Sequence, residues 1–519
     1  MSYKICKKNQ IACACSSEET DVVTCCSKRI PFQKQIDLHD LAHVCVGEQL
    51  SGLFGNSSAT DATGDVVAVG SPTFDVTDPE SNTTVEDSGI VYIYRRQISA
   101  SRVKSSSYRL VQTLTAKEIL PSVFFGGRVQ ISADASRIVV NARNFPNLTS
   151  SDEDKNSGAV FVYDWCTCSN RYELVQTIIA QKYSGENDFT IVPETDIDTF
   201  GVPLVLSGDG STIFVGAQDS NSVAPTKTAR FYIYFDKYRN STTKRLEKTN
   251  CVENPFLFMQ RLTLQTVKTD SGESSVTFLQ GSIAITFDGK TIAFGNNNFF
   301  NVFIYNRPCV NVCSLNIPDD LWTWKQTMKI IGIPMVNLSF TPDGKFLAVE
   351  RTNSVNAPIA LVYKRVCSDT NVFSYQQASI LTPEVSTINF PTDTTTSIQI
   401  SADGCVVAVG AEFSDSVNPN RGRVIIFDKM VDGITTTWKQ RQYIDQTPVA
   451  LDTQLFGFSL AMSYDAATLV ITGPGNLLLS GVAAVYTSNQ IYTRLHTQKH
   501  AHAQTQTQTQ TQTNVPGPN

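Results

Sequence analysis

The sequence predicts an all-β protein: a seven-bladed β-propeller with four-stranded blades. Three features of its 519 residues carry that prediction: a tight turn that recurs seven times, a short apolar strand after each turn, and a later strand that always ends in an aromatic residue. Four turns follow a Phe-Gly pair at a constant interval, with Phe54-Gly55, Phe125-Gly126, Phe200-Gly201 and Phe456-Gly457 each nine residues, counted from the Phe, before Thr63, Asp134, Asp209 and Asp465. The other three turns are Asp288-Gly289, Asp343-Gly344 and Asp403-Gly404.

The strands after the turns are Val66-Val67-Ala68-Val69, Ile138-Val139-Val140, Ile213-Phe214-Val215, Ile292-Ala293-Phe294, Phe346-Leu347-Ala348-Val349, Val406-Val407-Ala408-Val409 and Leu469-Val470-Ile471. They are short, β-branched and bounded by turn residues. Consecutive apolar positions mean that both faces of each strand are covered, as in a blade held between two others. A third strand per unit has a fixed ending: GIVYIY to Tyr94, GAVFVY to Tyr163, ARFYIY to Tyr234, FNVFIY to Tyr305, PIALVY to Tyr363, GRVIIF to Phe427 and GVAAVY to Tyr486. A fourth begins near Tyr108, Tyr172, Met259, Trp322, Tyr375 and Trp438.

The last unit has only a weak fourth strand, within residues 490–495, whereas Phe32 to Leu38 (FQKQIDL) copies the LVQTLTA pattern. The expectation is that residues 32–38 complete blade seven, so the chain ends pair and close the ring. Asp-Gly between apolar strands is a strong hairpin signal, because Gly accepts positive φ and the Asp side chain bonds the local backbone. Ala135 and Ala466 replace that Gly in two units, which predicts a different turn geometry there.

Phe-Gly, turn, apolar strand and GxVxxY together resemble the FG-GAP repeat of β-propellers such as the integrin α-subunit head. Gly70-Ser71-Pro72 is nearest to the family's Gly-Ala-Pro, with Gly216-Ala217 and Gly410-Ala411 as partial copies, and the resemblance covers residues of about 32 to 490. It implies a rigid platform that binds a ligand or a protein. Calcium-binding members carry Asp-x-Asp-x-Asp-Gly before the second strand, whereas this chain has one Asp there, as in Ser207-Gly208-Asp209-Gly210 and Ser401-Ala402-Asp403-Gly404. One carboxylate does not supply the six to eight oxygens that calcium takes, so the family's metal sites are not carried over.

The repeat divides the chain into a Cys-rich head (1–31), the propeller (32–495) and a low-complexity tail (496–519) with five Gln-Thr pairs and nothing with which to build a core. A net charge of −6 without a basic run argues against nucleic acid as a partner. No stretch is long and apolar enough to span a bilayer, and Met1 to Gln10 lacks the apolar centre of a signal peptide, so a soluble chain is expected. Sequons at Asn56, Asn82, Asn147, Asn240 and Asn337 matter only if the chain enters a secretory route.

Of thirteen cysteines, Cys6, Cys13, Cys15, Cys25, Cys26 and Cys45 fall near the start. Cys166, Cys168, Cys251, Cys309, Cys313 and Cys367 fall between third and fourth strands and Cys405 in a turn, all opening onto one face. Disulfides bracing these loops and free thiols without shared purpose are both open readings. No repeated CxxC has the spacing of a tetrahedral zinc site.

No histidine lies between residues 44 and 495, which argues against a Ser-His-Asp or Cys-His system within the propeller. His39-Asp40-Leu41-Ala42-His43 has the i, i+4 spacing of a zinc helix, but Asp stands where the catalytic Glu belongs, and a solvated turn or cap is the plainer reading. Carboxylates gather in loops between second and third strands: Asp75, Asp78, Glu80, Glu86 and Asp87, then Asp152 to Asp154, then Glu412 and Asp415. Asp152-x-Asp154-x-Asn156-x-Gly158 has a calcium-like rhythm with its Gly one place late, so no cofactor is expected and calcium is the one metal worth testing.

The expected function is a non-catalytic interaction or structural module that contacts a protein or glycan through Asp75, Asp78, Glu80, Glu86, Asp87, Asp152, Glu412, Asp415 and their loops. A carbohydrate-active hydrolase using paired loop carboxylates is the alternative. A virion or surface-structure component is a third reading.

Overall fold

A computed structural model describes residues 40–488, apart from 50–51, 99–103, 147–156, 185–189, 195–196, 220–228, 237–254, 264–267, 270–271, 274–282, 297–300, 308–324, 332–336, 351–358, 368–372, 384–394, 412–421, 433–434, 446–454 and 475–480. The expected head (1–31) and tail (496–519) lie outside the described residues. The described chain is all-β and forms a seven-bladed propeller.

Each blade is an antiparallel sheet, and in blades 1 to 6 the main strands follow chain order from the axis outward. Blade 1 comprises Ser57–Thr60, Val66–Ser71, Ile90–Ile98 and Lys104–Leu114. Blade 2 comprises Phe125–Ile131, Arg137–Ala142, Ala159–Cys166 and Arg171–Ile178. In blade 3, Leu204–Leu206, Thr212–Asp219, Ala229–Asp236 and Phe256–Thr263 are joined by Ile197–Asp198. Blades 4, 5 and 6 open with Ile283–Ile285, Leu338–Phe340 and Thr395–Ile400. The fourth strand of blade 3 is Phe256–Thr263, begun three residues before its sequence-based start at Met259, and that of blade 4 includes Lys325–Ile331, with Trp322 outside the described residues.

Blade 7 corrects one expectation in detail. Its outer strand does come from the N-terminal side and closes the ring, but it is Asp40–Val46, paired antiparallel with Val482–Thr487, and not residues 32–38. Those residues lie outside the described ones. Both sequence readings of the His39-to-His43 segment also fail, because His43 sits in this strand rather than in a turn, cap or zinc helix. Cys45, grouped by sequence with the head, is buried in the closing strand as a free thiol, its pKa pushed up to about 12 by burial.

The consecutive apolar residues of the second strands have the predicted cause. Side chains alternate across a strand, so Val66 and Ala68 enter the cluster between blades 1 and 2 while Val67 and Val69 enter the one between blades 7 and 1. Every pair of neighbouring blades shares such a cluster, the last joining Phe54, Val67 and Tyr92 to Cys45, Val470 and Val485. The aromatic ending of each third strand marks a register shift against the outer strand, as at Ile93/Tyr94, Val162/Tyr163 and Ile426/Phe427. A bulge of this kind adds local twist.

Phe-Gly has two parts. The Phe packs edge-to-face on its own blade's third strand, with ring centroids 5.3 Å apart for Phe54–Tyr92, 5.5 Å for Phe125–Phe161 and 5.3 Å for Phe200–Tyr232. Its backbone docks on the preceding blade: Phe125 N–H donates to Ser88 O and Phe200 N–H to Ser157 O. The Gly opening GxVxxY is needed there, since a Cβ on Gly89 (φ +83°) would sit 2.1 Å from Phe125 O.

The turns form one hydrogen-bonded device. In six blades a Ser or Thr two places before the Asp donates to that carboxylate and accepts a backbone N–H five residues on, as Ser132 does with Asp134 and Arg137 N and Ser401 with Asp403 and Val406 N. In blade 1 Asp61 covers both roles, bonding Thr63 and Val66 N. Ala135 (φ 54°) and Ala466 (φ 56°) keep the left-handed geometry of Gly404 (φ 66°), so the expected change of turn type at the two alanines does not occur. The hydrogen-bonded frame holds an L-residue where Gly would be unstrained.

Candidate functional site

First strands run toward the turns, so the propeller has a turn face and an opposite face bearing the loops between second and third strands. On the turn face the blades are stitched by backbone bonds: Tyr464 N–H to Ala62 O, Ala62 N–H to Ala133 O, Ala133 N–H to Gly208 O, Asp209 N–H to Phe287 O, Phe287 N–H to Pro342 O, and Ala402 N–H to Tyr464 O. Pro342 has no N–H to pass on to blade 6. Cys166, closing a third strand, and Cys405, in a turn, lie toward this face as expected.

The turn face is also where buried charge ties blades together. Arg137 of blade 2 is wholly buried, with Nε and Nη2 on the two oxygens of Asp164 at 2.6 and 2.8 Å, and Nη1 on Asp236 of blade 3 at 2.8 Å and on Gly210 O at 2.7 Å. In blades 1, 2 and 5 the matching turn carbonyls of Gly64, Ala135 and Gly344 accept from the hydroxyls of Tyr108, Tyr172 and Tyr375, and in blade 6 Trp438 Nε1 serves Gly404. Blade 3 has Phe256 at that place, which donates nothing, so Arg137 supplies the missing bond.

The opposite face carries the loop expected to bind. Between Ser71 and Ile90 it forms a small hairpin, Val76–Thr77 against Thr84–Val85. Asp75 accepts from Asp87 N–H at 3.0 Å and from Gln49 Nε2 at 3.0 Å, while its own N–H donates to Gln49 Oε1. Asp78 accepts from Ser81 Oγ and Glu80 N–H, which hold its carboxyl below the usual range. Burial, then the charges of Asp75 and Glu86, push Asp87 up. Asp75 and Asp78 thus shape the loop, whereas Glu80 and Glu86 are exposed on it. Asp152, Asp154, Asn156, Glu412 and Asp415 lie outside the described residues. Among the described residues no three His, Cys, Asp or Glu side chains group as metal ligands.

Sequence reasoning missed the axis. The first strands of all seven blades surround a cavity of about 260 Å³. At its turn end the Phe287 ring and Tyr464 hydroxyl converge on Gly208, where a Cβ would lie 2.5 Å from the ring and 2.6 Å from the oxygen. Arg128, Gln130 and Gln399 line it among apolar residues and serines, and Arg128 is its one charged side chain among the described residues. The available signal was alignment of the seven strands before the turns, which sets Arg128 level with Ser57, Pro203, Asn337, Ser397 and Ser459.

No protein-family model and no curated protein matches the chain. Among solved structures it is similar to the Cps50 (Swd1) β-propeller domain of Myceliophteria thermophila, at 10% identity and TM-score 0.45, covering 87% of this chain and 100% of that one. It is also similar to candidate 6-phosphogluconolactonases of Bacteroides fragilis (11% identity, TM-score 0.40, 80% of this chain and 97% of that one) and Bacteroides uniformis (12%, 0.40, 75% and 85%). These likenesses carry no argument about activity.

Proposed function

We propose that the chain is an FG-GAP-like propeller serving as a non-catalytic interaction module, which contacts a protein or glycan through the loops between second and third strands. The observation that carries this reading is the division of labour between faces. The turn face is committed to stitching the blades together, while the opposite face presents an ordered hairpin whose Asp75 and Asp78 fix its shape and leave Glu80 and Glu86 exposed. Recognition by loops on a rigid frame fits that arrangement. The FG-GAP assignment is supported by the shared geometry of the Phe-Gly docking. Disulfide bracing of the turn face belongs to the same reading, and comparison of reduced and non-reduced peptide masses tests it.

A glycan array and a binding screen against surface proteins, each paired with an assay for reducing-sugar release, test the function. Binding that weakens on joint Glu80→Gln and Glu86→Gln substitution, without release of sugar, is the expected result. Release of sugar abolished by substituting a loop carboxylate would replace the module with a hydrolase.

A further inference from the structure

We infer that the axial cavity is a binding site for a small carboxylate, held by Arg128. Arg128 extends from the first strand of blade 2, and its backbone is fixed by the bond from its N–H to Asn141 Oδ1 at 2.5 Å. Arg128 lines the cavity, and its Nε is shut away from solvent with no hydrogen-bond partner among the described residues. No carboxylate lines the same space among the described residues. Arg137, by comparison, has two aspartates around it. A cation drawn partly out of water with no opposite charge beside it is unfavourable, and burial draws the Arg128 pKa down to about 10. An isolated cation facing a cavity is therefore a group that an anion would satisfy.

The cavity's chemistry narrows the anion. One guanidinium balances one negative charge, and its fork of N–H donors matches the two oxygens of a carboxylate. A phosphate dianion would want a second cation, and none lines the cavity among the described residues. Gln130 and Gln399 offer amide donors and acceptors for hydroxyl or amide groups on the rest of the ligand, and Phe287 and Tyr464 give an aromatic floor. The Tyr464 hydroxyl, its pKa raised to about 12 by burial and then by Asp209, stays neutral and adds no competing charge. At about 260 Å³ the space is just under the ~300 Å³ of the smallest common ligand pockets. That suits one acidic monosaccharide or amino-acid-sized acid, or the acidic side chain of a partner, and not a nucleotide.

The test is thermal melting and calorimetric titration of the full chain and of Arg128→Gln, with glucuronate, acetate, glucose and inorganic phosphate as probes. Glucuronate should raise the wild-type melting temperature and bind with at least tenfold higher affinity than to Arg128→Gln, while glucose moves neither protein. Without ligand, Arg128→Gln should melt no lower than wild type, since it removes a buried charge without removing a pair. Equal glucuronate binding by both proteins, no binding by wild type, or a phosphate effect as large as that of glucuronate would overturn the assignment. So would a variant that melts well below wild type without ligand, because that would show Arg128 to be structural. If the partner's own side chain is the ligand, a peptide ending in Asp or Glu will compete with glucuronate. Retained loop-face binding by Arg128→Gln separates the two proposals.

Discussion

Replacing Arg137 by Met should be among the most damaging single substitutions in the molecule. The change keeps an unbranched chain of similar length but removes four bonds of 2.6 to 2.8 Å, to both oxygens of Asp164, to Asp236 and to Gly210 O. Asp236 is wholly buried, so its charge loses this cation in a place where water does not replace it. Breaking a buried pair from one side costs about 3–5 kcal/mol. Two further variants apportion the loss. Asp164→Asn with Asp236→Asn in the Arg137→Met background removes the two charges that faced Arg137 and should recover more than half of it. Phe256→Tyr in the same background restores the donor that blades 1, 2 and 5 use, and should return about 1 kcal/mol through Gly210 O. Urea unfolding followed by tryptophan fluorescence measures each difference. An Arg137→Met protein within 1 kcal/mol of wild type would refute the reasoning, as would a triple variant no more stable than the single one.

Ala135→Gly should stabilise the protein by up to about 1 kcal/mol, since φ there is 54° and relief of left-handed strain outweighs the added freedom of the unfolded chain; a lower urea midpoint would contradict this. Gly89→Ala should cost about 2–4 kcal/mol because its Cβ would meet Phe125 O at 2.1 Å, and an unchanged melting curve would refute the docking role. Burial lowers the pKa of His43 in the closing strand, so the unfolded chain takes up that proton first as pH falls. Its contribution is complete above the ordinary value of 6.5 and is lost as pH falls through the lower folded value. Melting between pH 8 and pH 5 should therefore show a smaller acid loss in His43→Gln than in wild type.

What the sequence disclosed was whatever repeats. Phe-Gly spacing, the apolar second strands and the aromatic third-strand endings each report a demand that every blade makes of its neighbours, so the architecture was legible. The Ser or Thr two places before each Asp was equally visible, as in Ser207-Gly208-Asp209 and Thr341-Pro342-Asp343, and its part in the turn became clear only with the hydrogen bonds. The closing strand was misplaced because DLAHVCV does not alternate cleanly. A bulge between Leu41 and His43 breaks its period of two, and Leu41 and Val46 are exposed. FQKQIDL looked more regular than the strand that closes the ring. Arg128 and Arg137 were illegible for another reason. Their surroundings come from several blades, so the presence of two aspartates about one and of no carboxylate lining the cavity beside the other is a property of the ring and not of any segment. On the loop face, the cluster of acids was visible but not which of them are spent on holding the hairpin.

Closure of the ring by Asp40–Val46 can be tested by comparing two truncated chains, one starting at residue 39 and one at residue 47. The longer chain should unfold in the same cooperative transition as the full protein. The shorter one should lose that transition or melt many degrees lower, because blade 7 has lost its outer strand and its contact with blade 1. Indistinguishable melting of the two truncations would contradict closure of the ring by Asp40–Val46.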